Sequence, residues 1–196
     1  MSPRPYNLGK RREAIDQGRQ QVLDAARSLL ARPEGSAFTV DAVARRADVA
    51  RATVYYQFGS KPGLLEAVCD HLADRGGLAG LPAAFTEPDP RRGLDLFVAC
   101  FGRFWAADRA ATRRLRALAV LDPEVGAVIT ARDQRRRDGL AVLIGRLPGQ
   151  PADPDHAVRV LTALTSFEMF DGLAGPDQDL TSVTPDVLRL TAATLP

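Results

Sequence analysis

The stretch over residues 38–72 constrains the fold most, because two short helical patterns meet there at a sharp break. Apolar residues recur at i, i+3, i+4 and i+7 over residues 40–47, which predicts a helix with one buried face. Asp48 follows, and aspartate can adopt the left-handed backbone that a sharp turn needs. Val54 and Phe58 are then four residues apart, so they face inward together on a second helix. The pattern predicts a helix-turn-helix.

The opposite face of the second helix is small, polar and aromatic. On a helical wheel it carries Ala52, Thr53 and Tyr56, with Arg51 and Tyr55 at its flanks. Such a face is typical of a helix that enters a DNA major groove by its N-terminal end. The surface therefore predicts a protein that binds double-stranded DNA.

The same stretch resembles the TetR family of bacterial transcriptional regulators. The resemblance covers about a quarter of the 196 residues and is carried by Ala25-Ala26, Leu29-Leu30, Thr39-Val40, Val43-Ala44, Thr53-Val54-Tyr55-Tyr56-Gln57-Phe58, Ser60-Lys61 and Leu64-Leu65. Two positions depart from the family pattern: Asp48 stands where the family prefers glycine, and Ala50 where it prefers serine or threonine. The alanine forgoes a helix-capping hydrogen bond of about 1 kcal/mol.

The helical wheel and the resemblance together imply a set of DNA contacts. We expect base contacts from Arg51, Thr53 and Tyr56, and phosphate contacts from Thr39, Tyr55 and Lys61. Lys61 opens the next helix, where the helix dipole disfavours a cation. A bound phosphate would explain a lysine at that position.

Charge is unevenly distributed along the chain. Residues 1–61 hold eleven Lys and Arg against six Asp and Glu, whereas the whole chain has a net charge of only +2. The basic part coincides with the helix-turn-helix, where a positive field attracts phosphate. Residues 1–15 are predicted to be a flexible basic arm, and its Arg4 and Lys10-Arg11-Arg12 either clamp DNA or are simply solvated.

The whole chain is predicted to be all-α, since no β-strand alternation persists anywhere. A helix-turn-helix DNA-binding domain of three helices over residues 16–61 is followed by a connecting helix over 62–75. Residues 76–196 then form a helical domain that the resemblance implies is for effector binding and dimerisation. The helical patterns outside the motif are predicted over residues 16–31, 94–106, 112–121, 124–147, 155–174 and 185–194.

The C-terminal helices carry a group of aromatic side chains that allows two interpretations. The group consists of Phe97, Phe101, Phe104, Trp105, Phe167 and Phe170. These residues either pack a core or line a small-molecule cavity between helices. The resemblance implies such a cavity, and this lining suits a small apolar or aromatic effector better than a highly charged one.

The predicted helix over residues 155–174 is apolar nearly all round. Such a helix must be covered on every side, which a thin bundle cannot do alone. We therefore expect a homodimer through this helix and the one over residues 185–194. Two-fold symmetry then predicts a palindromic operator.

Several kinds of chemistry have no support in the sequence. Metal-ligand spacings, a catalytic constellation and a glycine-rich phosphate loop are missing, so no metal and no cofactor are expected. No run approaches the roughly twenty apolar residues of a membrane span. Cys69 and Cys100 are interpreted as small buried hydrophobes in a reduced cytoplasm. Glu168 and Asp171 are either buried functional carboxylates or ordinary residues that point to solvent or pair with an arginine.

These patterns favour a cytoplasmic, bacterial, sequence-specific DNA-binding regulator rather than an enzyme. A repressor released from its operator by a small-molecule effector is the first hypothesis. One alternative is a helix-turn-helix regulator without a small ligand, controlled by a protein partner. Another is an enzyme or small-molecule carrier that retains a helix-turn-helix.

Overall fold

The computed structural model describes residues 8–32, 38–149 and 151–195, and every regular element in these ranges is helical. The all-α prediction is therefore confirmed for the described residues. Their α-helices are α1 (Leu8–Leu30), α2 (Val40–Arg46), α3 (Arg51–Phe58), α4 (Lys61–Arg75), α5 (Pro82–Thr86), α6 (Pro90–Ala107), α7 (Arg109–Leu121), α8 (Pro123–Gly145), α9 (Pro154–Leu164), α10 (Phe167–Ala174) and α11 (Thr184–Thr194). Short 3-10 turns precede α5 and α11.

Local capping signals set the limits of the helix-turn-helix. The Ala42 N–H donates to Thr39 Oγ1 at 3.1 Å, which starts α2. Asp48 adopts φ 53° and turns the chain as predicted, whereas Ala50 starts α3 without a side-chain cap. Ser60 Oγ accepts from the Gly63 N–H at 3.1 Å and starts α4. The three helix starts thus follow from neighbouring residues alone.

Helix α1 begins at Leu8, so its predicted start at residue 16 is wrong. The stretch over residues 8–15, predicted as part of a flexible arm, is helical. Four charged side chains follow one another over residues 10–13 and leave no apolar periodicity to indicate a helix. Arg4 lies outside the described residues, and a DNA contact from the arm remains a prediction.

The helix predicted over residues 155–174 is two helices, α9 and α10, so that prediction is also wrong. The break falls at Thr165, whose carbonyl accepts a hydrogen bond from Trp105 Nε1 at 3.0 Å. Ser166 Oγ accepts from the Met169 N–H at 3.2 Å and caps the new helix. Continuous apolarity concealed the break, because both helices bury residues against the same core.

The described residues form two hydrophobic cores, which are joined through helix α8. The first core contains α1 to α4 and continues into Ala111 and Leu115 of α7 and Val125 and Val128 of α8. The second is built from α5, α6 and α8 to α11. Helix α8 contributes to both cores, so the helix-turn-helix packs directly on elements of the C-terminal half.

Candidate nucleic-acid interface and ligand cavity

Helix α3 has one buried face and one open face. Val54 and Phe58 are 1% and 9% exposed and pack into the first core. Tyr56 is 83% exposed, although a large aromatic side chain is usually at least partly covered. Tyr55 is exposed and Thr53 half-buried. The predicted base-contacting face is therefore open to a partner.

Arg51 is held at the start of α3 by two neighbours. Its Nη1 lies 3.2 Å from Asp41 Oδ2, and its Nη2 donates to Tyr55 Oη at 3.3 Å. The guanidinium carbon also lies 5.4 Å from the centre of the Tyr55 ring. The hydrogen bond to Tyr55 and the charge of Asp41 raise the pKa of Arg51. This cation is thus oriented beside the open face of α3.

Thr39 and Lys61 flank that face at the starts of α2 and α4. The Thr39 oxygen accepts the capping bond, so its O–H remains able to donate to a phosphate. Lys61 instead binds carboxylates of the C-terminal half: its Nζ lies 2.5 Å from Asp122 Oδ2 and 2.9 Å from Glu124 Oε2. The bond with Asp122 raises the pKa of Lys61 and lowers that of Asp122.

A second polar connection joins α4 to α8 further along the two helices. Arg132 Nη2 donates to Glu66 Oε2 at 2.6 Å and to the Glu66 carbonyl oxygen at 2.9 Å. It also donates to Asp70 Oδ1 at 2.7 Å. Helix α4 is therefore attached to α8 both at the start of α8 and in its middle. A shift of α8 would be transmitted to the helix that opens with Lys61.

A cavity of about 240 Å³, called the α4–α8 cavity below, lies among α4, α6, α7 and α8. Four of the six predicted residues, Phe97, Phe101, Phe104 and Trp105, line it. Phe167 and Phe170 do not line it, and a ligand contact from any of the six stays a prediction. Phe167 packs edge-on against Trp105 with ring centroids 5.8 Å apart, and Phe170 is fully buried in the second core.

The other wall of this cavity is polar, which the sequence analysis missed. It consists of Arg116, Arg132, Asp133, Arg135 and Arg136. Arg132 and Arg136 are one helical turn apart, so they lie on the same face of α8. That spacing was the available signal, but an arginine-rich stretch of an amphipathic helix is usually a solvated face. Only the packing of α8 against α6 and α9 shows that the arginine-rich face of α8 is enclosed.

Arg136 is the most buried charge of the polar wall, at 6% exposure. Its Nη1 donates to the Thr162 carbonyl oxygen at 2.5 Å and to Thr165 Oγ1 at 2.7 Å, and its Nη2 lies 3.3 Å from Asp133 Oδ1. Burial lowers its pKa. The buried Nε atoms of Arg132 and Arg136 have no hydrogen-bond partner.

The two carboxylates of α10 pair with arginines of α7, as one of the two interpretations predicts. Asp171 lies 2.7 Å from Arg109 Nε and 2.6 Å from Arg113 Nη2, and Glu168 binds Arg116. Burial alone would raise the pKa of Asp171, but the hydrogen bonds from Arg113 and Arg109 lower it. These groups attach α10 to α7.

Other kinds of site are not found in the part of the chain that the structure describes. That part contains no cluster of three metal-ligating side chains. None of its helices is long and apolar enough to cross a membrane. Cys69 and Cys100 are buried free thiols, as expected.

A capped turn between two short helices, the second with an open face, defines a helix-turn-helix protein. The family model for "Bacterial regulatory proteins, tetR family" matches residues 22–68, which contain all of α2 and α3. The resemblance identified from the sequence is therefore confirmed for this segment, which is about a quarter of the chain.

Two curated relatives are named as transcriptional regulators. The chain is 47% identical over 57 residues to the HTH-type transcriptional regulator AlkX of Mycobacterium tuberculosis, covering 29% of this chain and 27% of that one. It is 31% identical over 117 residues to the HTH-type transcriptional regulator EthR of Mycolicibacterium smegmatis, covering 57% and 54%. The chain therefore matches about a quarter and about half of the lengths of these relatives.

The fold itself extends over nearly the whole chain. A crystal structure of a putative TetR-family transcriptional regulator from Rhodococcus sp. superposes with a TM-score of 0.69. The match covers 92% of this chain and all of that one, at 21% identity. At this identity the likeness concerns the fold, including the helical C-terminal half.

Proposed function

We propose that the protein is a sequence-specific DNA-binding transcriptional regulator, a repressor that a small molecule in the α4–α8 cavity releases from its operator. The observation that carries this proposal is the open face of α3. Tyr56 is 83% exposed there, while Val54 and Phe58 anchor the same helix in the core. A rigidly held helix with an exposed aromatic and polar face suits major-groove binding.

The DNA contacts divide into two groups by their position around α3. Arg51, Thr53 and Tyr56 contact base edges, because they lie on or beside the open face. Thr39, Tyr55 and Lys61 contact phosphates on either side of the groove. Base contacts give specificity, whereas phosphate contacts give position and salt dependence.

Lys61 exchanges carboxylates for phosphate when DNA binds. In the described structure its ammonium group is paired with Asp122 and Glu124 at the start of α8. A phosphate at α4 competes with these carboxylates for the same group. Because α8 also lines the cavity, the pairing offers a physical route from effector to DNA contact.

The protein acts as a homodimer in the cytoplasm and binds a palindromic operator. The proposed dimer interface is formed by α9, α10 and α11, where Leu173 and Leu190 are each 43% exposed. Isolated exposed leucines are common, but these two lie on the elements that were expected to be covered by a second subunit. One α3 per subunit then reaches one half-site in each of two successive major grooves.

A salt titration of operator binding tests the phosphate contacts. Lys61→Ala should weaken binding to all sequences alike and reduce the salt slope by about one. Arg92→Ala is the matched control, because Arg92 is an exposed cation of α6, outside both the helix-turn-helix and the proposed dimer interface. An unchanged slope for Lys61→Ala would remove Lys61 from the interface.

A further inference from the structure

We propose that the ligand of the α4–α8 cavity is an amphipathic carboxylate. Its aromatic or aliphatic body contacts the phenylalanine wall, and its carboxylate accepts hydrogen bonds from Arg132 and Arg136. This inference rests on the proposed function, because it names the chemical class of the effector of that same cavity.

Unsatisfied donors are the first reason. Both side chains line the cavity, and the Nε atoms of both are buried without a hydrogen-bond partner. A buried donor that lacks an acceptor is unfavourable. A purely apolar ligand would leave both donors unpaired, whereas a ligand with acceptor oxygens can satisfy them.

Charge is the second reason. Among the described residues, the only carboxylate bonded to Arg136 is Asp133, at 3.3 Å. Asp133 is shared, because Arg116 Nη2 lies closer to it, at 2.9 Å. The other acceptors of Arg136 are neutral oxygens of Thr162 and Thr165. The buried Arg136 guanidinium thus shares its carboxylate with a second arginine. Such a group favours an anionic ligand and disfavours a cationic one.

The opposite wall determines the rest of the ligand. The rings of Phe97 and Phe101 lie 4.8 Å apart, and those of Phe104 and Trp105 lie 4.4 Å apart. These rings line the same cavity as the arginine pair, and the Arg136 guanidinium carbon lies 5.8 Å from the centre of the Phe101 ring. A molecule with one apolar end and one anionic end satisfies both walls at once.

The same binding mode explains how a ligand could release DNA. Arg132 holds Glu66 and Asp70 of α4, and a ligand carboxylate would compete with them for its guanidinium. The middle attachment between α4 and α8 would then weaken, and the position of α4 would become less restricted. The effector shifts the equilibrium only by its differential affinity for the two states.

A pair of matched probes tests the inference in the wild-type protein. Trp105 is the only tryptophan of the chain and lines the cavity, so its fluorescence reports occupancy. We expect 4-phenylbutanoate to quench Trp105 and to bind about tenfold tighter than 4-phenylbutan-1-ol, because a charged acceptor strengthens the hydrogen bonds. The cation 4-phenylbutylammonium should bind weakest.

Two variants locate the carboxylate. Arg132→Gln should abolish the preference for 4-phenylbutanoate over the alcohol. Arg137→Gln removes the same charge from α8 at a residue that does not line the cavity, and should keep the preference. Thermal unfolding of both variants checks that the fold is retained. If either variant does not fold, the comparison of the three probes on the wild-type protein still tests the inference.

The outcomes separate this inference from the proposed function. Equal binding of the carboxylate and the alcohol, or tighter binding of the ammonium compound, would overturn the anionic class but leave the cavity as an effector site. If phenylalkanoates from phenylacetate to 6-phenylhexanoate and the matching alcohols all fail to quench Trp105, the inference and the effector part of the proposal both fail. Operator binding by α3 is measured separately and is not affected by either result.

Discussion

Among single residues, Cys69 shows how strongly its surroundings alter a side chain. It lies on α4 at the cavity wall, and burial raises the pKa of its thiol to about 11. The thiolate is the reactive form, and two pKa units reduce its population about a hundredfold. Reaction with a disulfide reagent at pH 8 should therefore be at least about a hundredfold slower in the native protein than in urea.

A Cys100→Ser variant isolates this thiol, because Cys100 is the only other cysteine of the chain. Release of the coloured thiol product is followed by absorbance. A native reaction as fast as that of the unfolded chain would show that Cys69 is accessible, and that the cavity wall opens readily.

The two neighbouring tyrosines of α3 should respond differently to substitution. Tyr56→Ala should cost about 1–3 kcal/mol at one base position and relax specificity there. Tyr55→Phe removes only a hydroxyl that accepts from Arg51, and should weaken all operators similarly. Titrations against an operator and its single-base variants measure both effects, and a uniform loss for Tyr56→Ala would contradict its role as a base contact.

Residue-level predictions from the sequence were reliable where the causes are local. The left-handed backbone at Asp48 was predicted, and, like the caps by Thr39 and Ser60, it depends on residues within three positions. The partners of Lys61 could not be predicted, because Asp122 is 61 positions away and becomes its neighbour only when α8 packs on α4.

Among the helices, α4 and α8 carry the proposed connection between cavity and DNA. Asp122→Ser with Glu124→Gln removes both partners of Lys61, while serine can still cap α8. We expect this double variant to bind its operator a few-fold tighter, because Lys61 no longer has to leave an ion pair. Binding is measured at moderate salt by anisotropy of a labelled operator.

Two comparisons make this prediction specific. Asp138→Asn removes a carboxylate from α8 that bonds Gln134, and should leave DNA affinity unchanged. In a Lys61→Ala background the double variant should also have no effect. A gain that persists without Lys61 would indicate a general charge effect instead of a competition for Lys61.

Helix existence was predictable, and helix limits were less so. The amphipathic patterns of α6 and α7 come from the cores that they bury, so their periodicity is visible in the sequence. The break between α9 and α10 depends on a hydrogen bond from Trp105, which is 60 positions from Thr165. Apolar periodicity contains no record of such a bond.

For the whole molecule, the central structural prediction is a two-fold dimer through α9 to α11. Leu173→Glu with Leu190→Glu places two charges on that surface and should convert the dimer to a monomer near 21.1 kDa. Leu96→Glu is the control, since Leu96 is similarly exposed, at 41%, on α6. Sedimentation at micromolar protein distinguishes the dimer from the monomer. A wild-type monomer would contradict the proposed binding of a dimer to a palindromic operator.

The sequence predicted the all-α class and the helix-turn-helix, because a specific motif and helical periodicity are both local signals. It left core packing and cavity lining both open for the aromatic group, and it did not predict the arginine half of the cavity. Aromatic residues are expected inside a protein, whereas Arg116, Arg132 and Arg136 would ordinarily be assigned to the surface. Their enclosure follows from how α7 and α8 pack, which no single helix pattern contains.

The central claim is sequence-specific DNA binding by the open face of α3. The most direct test is selection of genomic fragments by the purified protein, with Tyr56→Ala selected in parallel. We expect the wild-type protein to enrich a palindrome with half-sites about one helical turn apart, and the variant to lose or alter that sequence. Enrichment of no sequence, or of the same sequence by both proteins, would contradict the claim.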